Sequence, residues 1–161
     1  MEQFNVKYKE EAKELIDGME KSLLLMENNP DDAALIEEVF RNMHTLKGNS
    51  SMFGFKTIAD FTHDLESIYN LVRSGEMKIS KQILNVSFSA LDHLSVLTNN
   101  AGLLSEKEKK EHKQLSEKVI EIINSVNKNV QNNLVLIRKT RQLVPLKKRV
   151  HLYFRTRIVS L

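Results

Sequence analysis

Cysteine is absent from the chain, so disulfides and thiolate metal sites are excluded, and a reducing compartment such as the cytoplasm suits it. Tryptophan is also missing, aromatics make up 6%, and there are two prolines and five glycines, a balance that points away from sheet and from disorder toward helix. No apolar run approaches the roughly 20 residues of a membrane span. The start, Met1-Glu2-Gln3-Phe4-Asn5, lacks the basic and apolar regions of a signal peptide, and a soluble cytoplasmic protein is expected. Acidic residues are missing from 134–161, which carries 8 Lys and Arg, whereas 1–133 carries 16 basic and 21 acidic residues for a net of −5. The basic pI therefore belongs to the tail and argues little for nucleic-acid binding by the folded part.

What is present is apolar residues at helical spacing. Phe4, Tyr8, Ala12, Leu15, Met19, Leu23 and Met26 recur at three and four, predicting an amphipathic helix over 4–27 that Pro30 ends. Asp31 and Asp32 offer a cap for a second helix over 32–53, closed by Gly54. Thr57 to Asp60 has the form of a capping box opening a third helix, with Ile58, Phe61, Leu65, Ile68 and Val72 inward and Gly75 at its end. Ser80 caps a fourth helix, and Ser105 with Glu108 forms a second capping box for a fifth along Leu115, Val119, Ile122, Val126 and Val130. The methionines at 19, 26 and 43 fit core packing. These signals predict an all-α antiparallel four-helix bundle plus a fifth helix, occupying 1–130. Residues 131–161 read as a linker and the start of a truncated following domain, a basic and poorly structured tail with a strand-like run at 150–159.

The second helix carries the stretch that stands out. Val39, Met43, Leu46 and Phe53 share an apolar stripe, whereas Arg41, His44, Gly48 and Ser51 form another that should face water. An imidazole, with an ordinary pKa of about 6.5, is largely neutral near pH 7 and has a free ring nitrogen able to act as a nucleophile. Lys47, one turn on, would neutralise phosphoryl oxygens beside it. Gly48 costs helix stability and leaves room for a partner to approach, with Ser51 on the same open face. A lone exposed helical histidine is usually inert, so the case depends on what meets it. On the third helix, across a short loop, Glu66 and His63 lie at the edge of the buried stripe within reach of His44. A carboxylate there would fix the tautomer of the ring and raise its basicity. A solvated Glu66 paired with Arg73 or Lys47 is the plainer alternative. Zinc on two histidines and a glutamate is disfavoured by the spacing and by the neighbouring lysine. His93 and His112 show no constellation.

The run His44-Thr45-Leu46-Lys47-Gly48-Asn49-Ser50-Ser51-Met52-Phe53-Gly54-Phe55, followed by Thr62-His63-Asp64-Leu65-Glu66 and Arg73-Ser74-Gly75-Glu76, resembles the histidine phosphotransfer domain of the chemotaxis kinase CheA over roughly residues 4–130. The resemblance implies that His44 is the phosphorylated residue, Glu66 its orienting acceptor, and Lys47 and His63 members of a supporting polar cluster. It further implies that a separate ATP-bound kinase domain donates the phosphoryl group and that an aspartate on a CheY- or CheB-like response regulator receives it. No Gly-rich nucleotide loop occurs in this chain, so no cofactor of its own and no kinase activity are expected. The rival readings are a phosphotransfer protein serving a hybrid sensor kinase, a helical adaptor in which His44 is incidental, and nucleic-acid binding through 138–157.

Overall fold

In the computed structural model, the structure describes the backbone of residues 2–143 and the side chains of 6–126 and 128. Five helices follow one another: α1 (Glu2–Met26), α2 (Ala33–Met52), α3 (Lys56–Arg73), α4 (Lys81–Asn99) and α5 (Glu106–Leu143). Among the described residues there is no strand. α1 packs on α2 and α4, and α3 packs on the same two helices, so the first four close into a bundle. Tyr8, Met19, Leu23, Met43, Leu65 and Leu94 are fully buried at its centre, with Val119 and Ile122 of α5 joining the same cluster. Met19, Met26 and Met43 are packing residues, as their spacing predicts.

Local chemistry sets most of the ends. Asp32 accepts from the amides of Ala34 at 2.9 Å and Leu35 at 3.2 Å, capping α2. Ser80 accepts from Ile83 at 3.3 Å. Ser105 and Glu108 satisfy each other's backbone amides reciprocally at 3.4 and 2.7 Å, as a capping box should. The box expected at Thr57 and Asp60 does not form. α3 begins two residues earlier than that box would set it, at Lys56, with Phe55 at the cap position and no side-chain cap, and Asp60 pairs with Lys56 at 2.7 Å instead. The reason lies on α1: the rings of Phe53 and Phe55 both pack on Tyr8, at 5.4 and 4.5 Å, and this apolar anchor fixes the turn, with Gly54 at a φ of 80°. The short turn leaves α2 and α3 antiparallel neighbours.

A second departure concerns α5. The helix runs on to Leu143, where a linker is expected from 131. No glycine or proline falls between Gly102 and Pro145 to stop it, and the asparagines that suggest a linker each cost a helix well under 1 kcal/mol. By its contacts the chain divides into one compact unit through Asn124 and a second beginning at Ser125. Phe4 and Val130 as core residues, the strand-like run at 150–159 and the basic segment from 144 on lie outside the described residues or side chains.

Within the first unit, α5 meets the bundle through a contact that sequence spacing does not reveal. His93 Nε2 and His112 Nδ1 share a hydrogen bond of 2.8 Å, and both rings lie 5.3 Å from that of Phe61 on α3. Burial holds the His93 imidazole below its usual range, reinforced by His112 and opposed by Glu111 and Glu108; burial does the same to His112 against the pull of Asp64. Both rings are therefore held neutral in the fold and accept protons more readily in the unfolded chain. Their contribution to stability is intact above the ordinary histidine value of 6.5 and is lost as the pH falls toward the depressed folded values. Urea unfolding at pH 7.5 and 5.5 should show a lower midpoint at pH 5.5, and a smaller drop in a His93→Gln, His112→Gln double variant. An equal drop in both proteins would remove the pair as its source.

Candidate functional site

α2 and α3 face each other at His44 and Glu66. His44 Nδ1 lies 2.7 Å from Glu66 Oε1, and Lys47 Nζ donates to Glu66 Oε2 at 2.5 Å. The three side chains differ sharply in exposure: 65% for His44, 26% for Lys47 and 9% for Glu66. Glu66 is thus a buried carboxylate with both oxygens engaged: it pairs with Lys47, as the plainer alternative has it, but it is not a solvated charge. Burial pushes its carboxyl upward, but the hydrogen bonds and charges of Lys47 and His44 outweigh that and hold it below the usual glutamate range. An ionised carboxylate can only accept, so Nδ1 of His44 carries the hydrogen. Nε2 keeps its lone pair, on a side chain that is mostly exposed.

Lys47 does not stand free beside the imidazole as its spacing suggests. Its ammonium turns to Glu66, and its direct effect is to keep that carboxylate charged and in place. Arg73, the other partner considered for Glu66, instead pairs with Glu37 at 3.6 Å. His63 is exposed, with Asp64 as its ion-pair neighbour at 3.9 Å, and among the described residues no hydrogen bond joins it to His44, Lys47 or Glu66. Among the described residues no group of three His, Cys, Asp or Glu side chains is arranged to hold a metal ion. No described helix is long and apolar enough to cross a membrane.

Gly48 and Ser51 are both exposed on α2, one and two turns beyond His44. A Cβ added at Gly48 would meet nothing within 4 Å, so no internal packing requires a glycine there. Gly48→Ala should therefore stabilise the fold by about 1 kcal/mol, the helix-propensity difference, read as a higher urea midpoint at unchanged slope. A loss of stability would show that the backbone needs glycine after all. Two further residues near the site escape the sequence reading. Phe40, four residues before His44, lies with its ring 6.2 Å from the imidazole, and the Arg73 guanidinium sits 3.8 Å over the Phe40 ring. The i, i+4 spacing of Phe40 and His44 is the signal that could have found the first.

An exposed imidazole whose Nδ1 is held by a buried carboxylate has one ring nitrogen left to take up a group, and the sequence gives the chain a family. The Hpt domain model matches residues 6–106, and the chain belongs to that family. It is similar to the chemotaxis protein CheA of Bacillus subtilis, with 36% identity over 100 residues, covering 62% of this chain and 15% of that protein. Among solved structures it is similar to the CheA phosphotransferase domain from Thermotoga maritima, with 34% identity, a TM-score of 0.59, and coverage of 61% of this chain and 93% of that one. It is also similar to the phosphorylated P1 domain of CheA3 in complex with CheY6 from R. sphaeroides, with 26% identity, a TM-score of 0.70, and coverage of 78% and 99%. The chain spans a small part of the full-length relative and nearly the whole of the isolated domains.

Proposed function

We propose that this chain is the phosphoacceptor and phosphotransfer module of a CheA-like two-component chemotaxis kinase, working in the cytoplasm, with residues 1–130 forming the module. The observation that carries the reading is the hydrogen bond from His44 Nδ1 to buried Glu66, which leaves Nε2 of a mostly exposed ring with its lone pair free. Nε2 attacks the terminal phosphorus of ATP held on a separate kinase domain. The P–Nε2 bond forms as the P–O bond to ADP breaks, and the imidazolium charge that develops is stabilised by Glu66 through the Nδ1 hydrogen. Lys47 holds Glu66 ionised throughout. A carboxylate oxygen of a CheY- or CheB-like response regulator then attacks the same phosphorus, the P–N bond breaks, and Nε2 recovers its lone pair. Gly48 and Ser51 supply the open face against which the regulator comes to rest, and His63 belongs to the polar rim of the site.

The test is to incubate the chain with a CheA-type kinase domain and radiolabelled ATP, then add a CheY-type regulator. Acid-labile, base-stable label should accumulate on the chain and leave it when the regulator is added. A chain that takes no label, or whose label survives acid, would overturn the reading.

A further inference from the structure

His44 is mostly exposed, so its hydrogen bond to Glu66 alone does not hold the ring flat against one orientation. A swing of the side chain about χ1 would take Nδ1 away from the carboxylate. On one side, however, that swing meets a neighbouring ring whose centroid lies 6.2 Å away. Phe40 lies a turn before His44 on the same face of α2, with the rings 27° from parallel. Phe40 is itself only half-buried and would give way unless something held it. Arg73, at the end of α3, covers it with the guanidinium carbon 3.8 Å from the ring centroid. That guanidinium is held in turn by Glu37 at 3.6 Å and by Asn70 Oδ1 at 3.2 Å.

The two rungs between the helices share one register. Seven residues along α2, from Glu37 to His44, answer seven back along α3, from Arg73 to Glu66. The arginine rung thus lies about 10 Å, two helical turns, from the glutamate rung on the same antiparallel seam. We propose that Phe40 and Arg73 are positioning residues for His44: Arg73 pins the Phe40 ring across the α2–α3 seam, and that ring restricts the imidazole so that Nδ1 stays on Glu66 and Nε2 points outward. The kinetic part of this inference rests on the phosphotransfer reading; the orientation part does not. Arg73 and Glu37 are each over 40% exposed, and exposed pairs contribute little to stability, so substitution there leaves the fold in place.

The test has two arms. Nitrogen-15 NMR of the His44 ring at pH 8 reads its tautomer, and phosphoramidate, a small donor needing no docking partner, reads its rate of phosphorylation. The unaltered chain should show the Nδ1–H tautomer. Phe40→Ala and Arg73→Ala should give a mixture of tautomers and on the order of tenfold slower phosphorylation, with unchanged helical circular dichroism. Phe40→Tyr should restore both readouts. Wild-type tautomer and rate in Arg73→Ala, or full rescue by Phe40→Leu, which supplies bulk without a flat ring, would overturn the proposal. If the unaltered chain takes no phosphoryl group from either donor, the functional reading fails while the tautomer arm still decides the positioning role.

Discussion

Replacing His44 with glutamine should reduce acid-labile phosphorylation of the chain to background. Glutamine is close in length and its amide can still donate to Glu66, so the seam between α2 and α3 keeps its hydrogen bond. What disappears is the basic lone pair at Nε2, because an amide nitrogen gives its pair to the carbonyl and does not attack phosphorus. His44 is 65% exposed, and a substitution there should change stability by no more than about 0.5 kcal/mol. The measurement is phosphate incorporated per chain from a CheA-type kinase domain and ATP, alongside a melting curve. Undiminished label in the variant would mean that another residue is the acceptor.

The second large effect is expected at Glu66. Glu66→Ala removes the acceptor of His44 Nδ1 and the counter-charge of Lys47 together. Without the acceptor the imidazole divides between its tautomers and the developing imidazolium loses its stabilising charge, so acceptance should slow by about 10²-fold. Glu66→Gln, which keeps a carbonyl for Nδ1 but no charge, should fall between. Stability should drop by roughly 1–3 kcal/mol, the cost of leaving partly buried polar groups without partners, and Lys47 at 26% exposure can relieve part of it by turning outward. The pH dependence has a definite sign. Because the folded carboxyl lies below its ordinary 4.5, its contribution is complete above that value and is lost as the pH falls through the lowered folded one. Acid unfolding of Glu66→Ala should accordingly lack that component, and phosphorylation rates that matched wild type would show the carboxylate to be incidental.

How far the sequence discloses all this depends on the distance over which each feature is decided. The caps at Asp32, Ser80 and Ser105 are settled within four residues, and they are legible. The Thr57 box is equally local in appearance, yet Tyr8, far away on α1, draws Phe55 inward and moves the start of α3. Glu66 opposite His44 is readable because a short loop forces the two helices together and each residue borders a buried stripe. The direction of Lys47 is not, since a spacing of three from His44 states proximity and leaves open which neighbour the ammonium chooses. His93 and His112 meet from separate helices with no periodicity relating them. The run of α5 past 130 is missed because asparagine content is weighed above the absence of any breaker.

The commitment of Lys47 to Glu66 bears on how tightly cargo is kept. With that ammonium committed to a carboxylate, Lys47 adds no cationic cradle around a group bonded to Nε2. A cradle of that kind would lower the energy of the loaded state and make the chain a sink. On the phosphotransfer reading, a load that Lys47 does not grip is handed on more readily, and the chain behaves as a way-station whose traffic is set by the next acceptor to arrive.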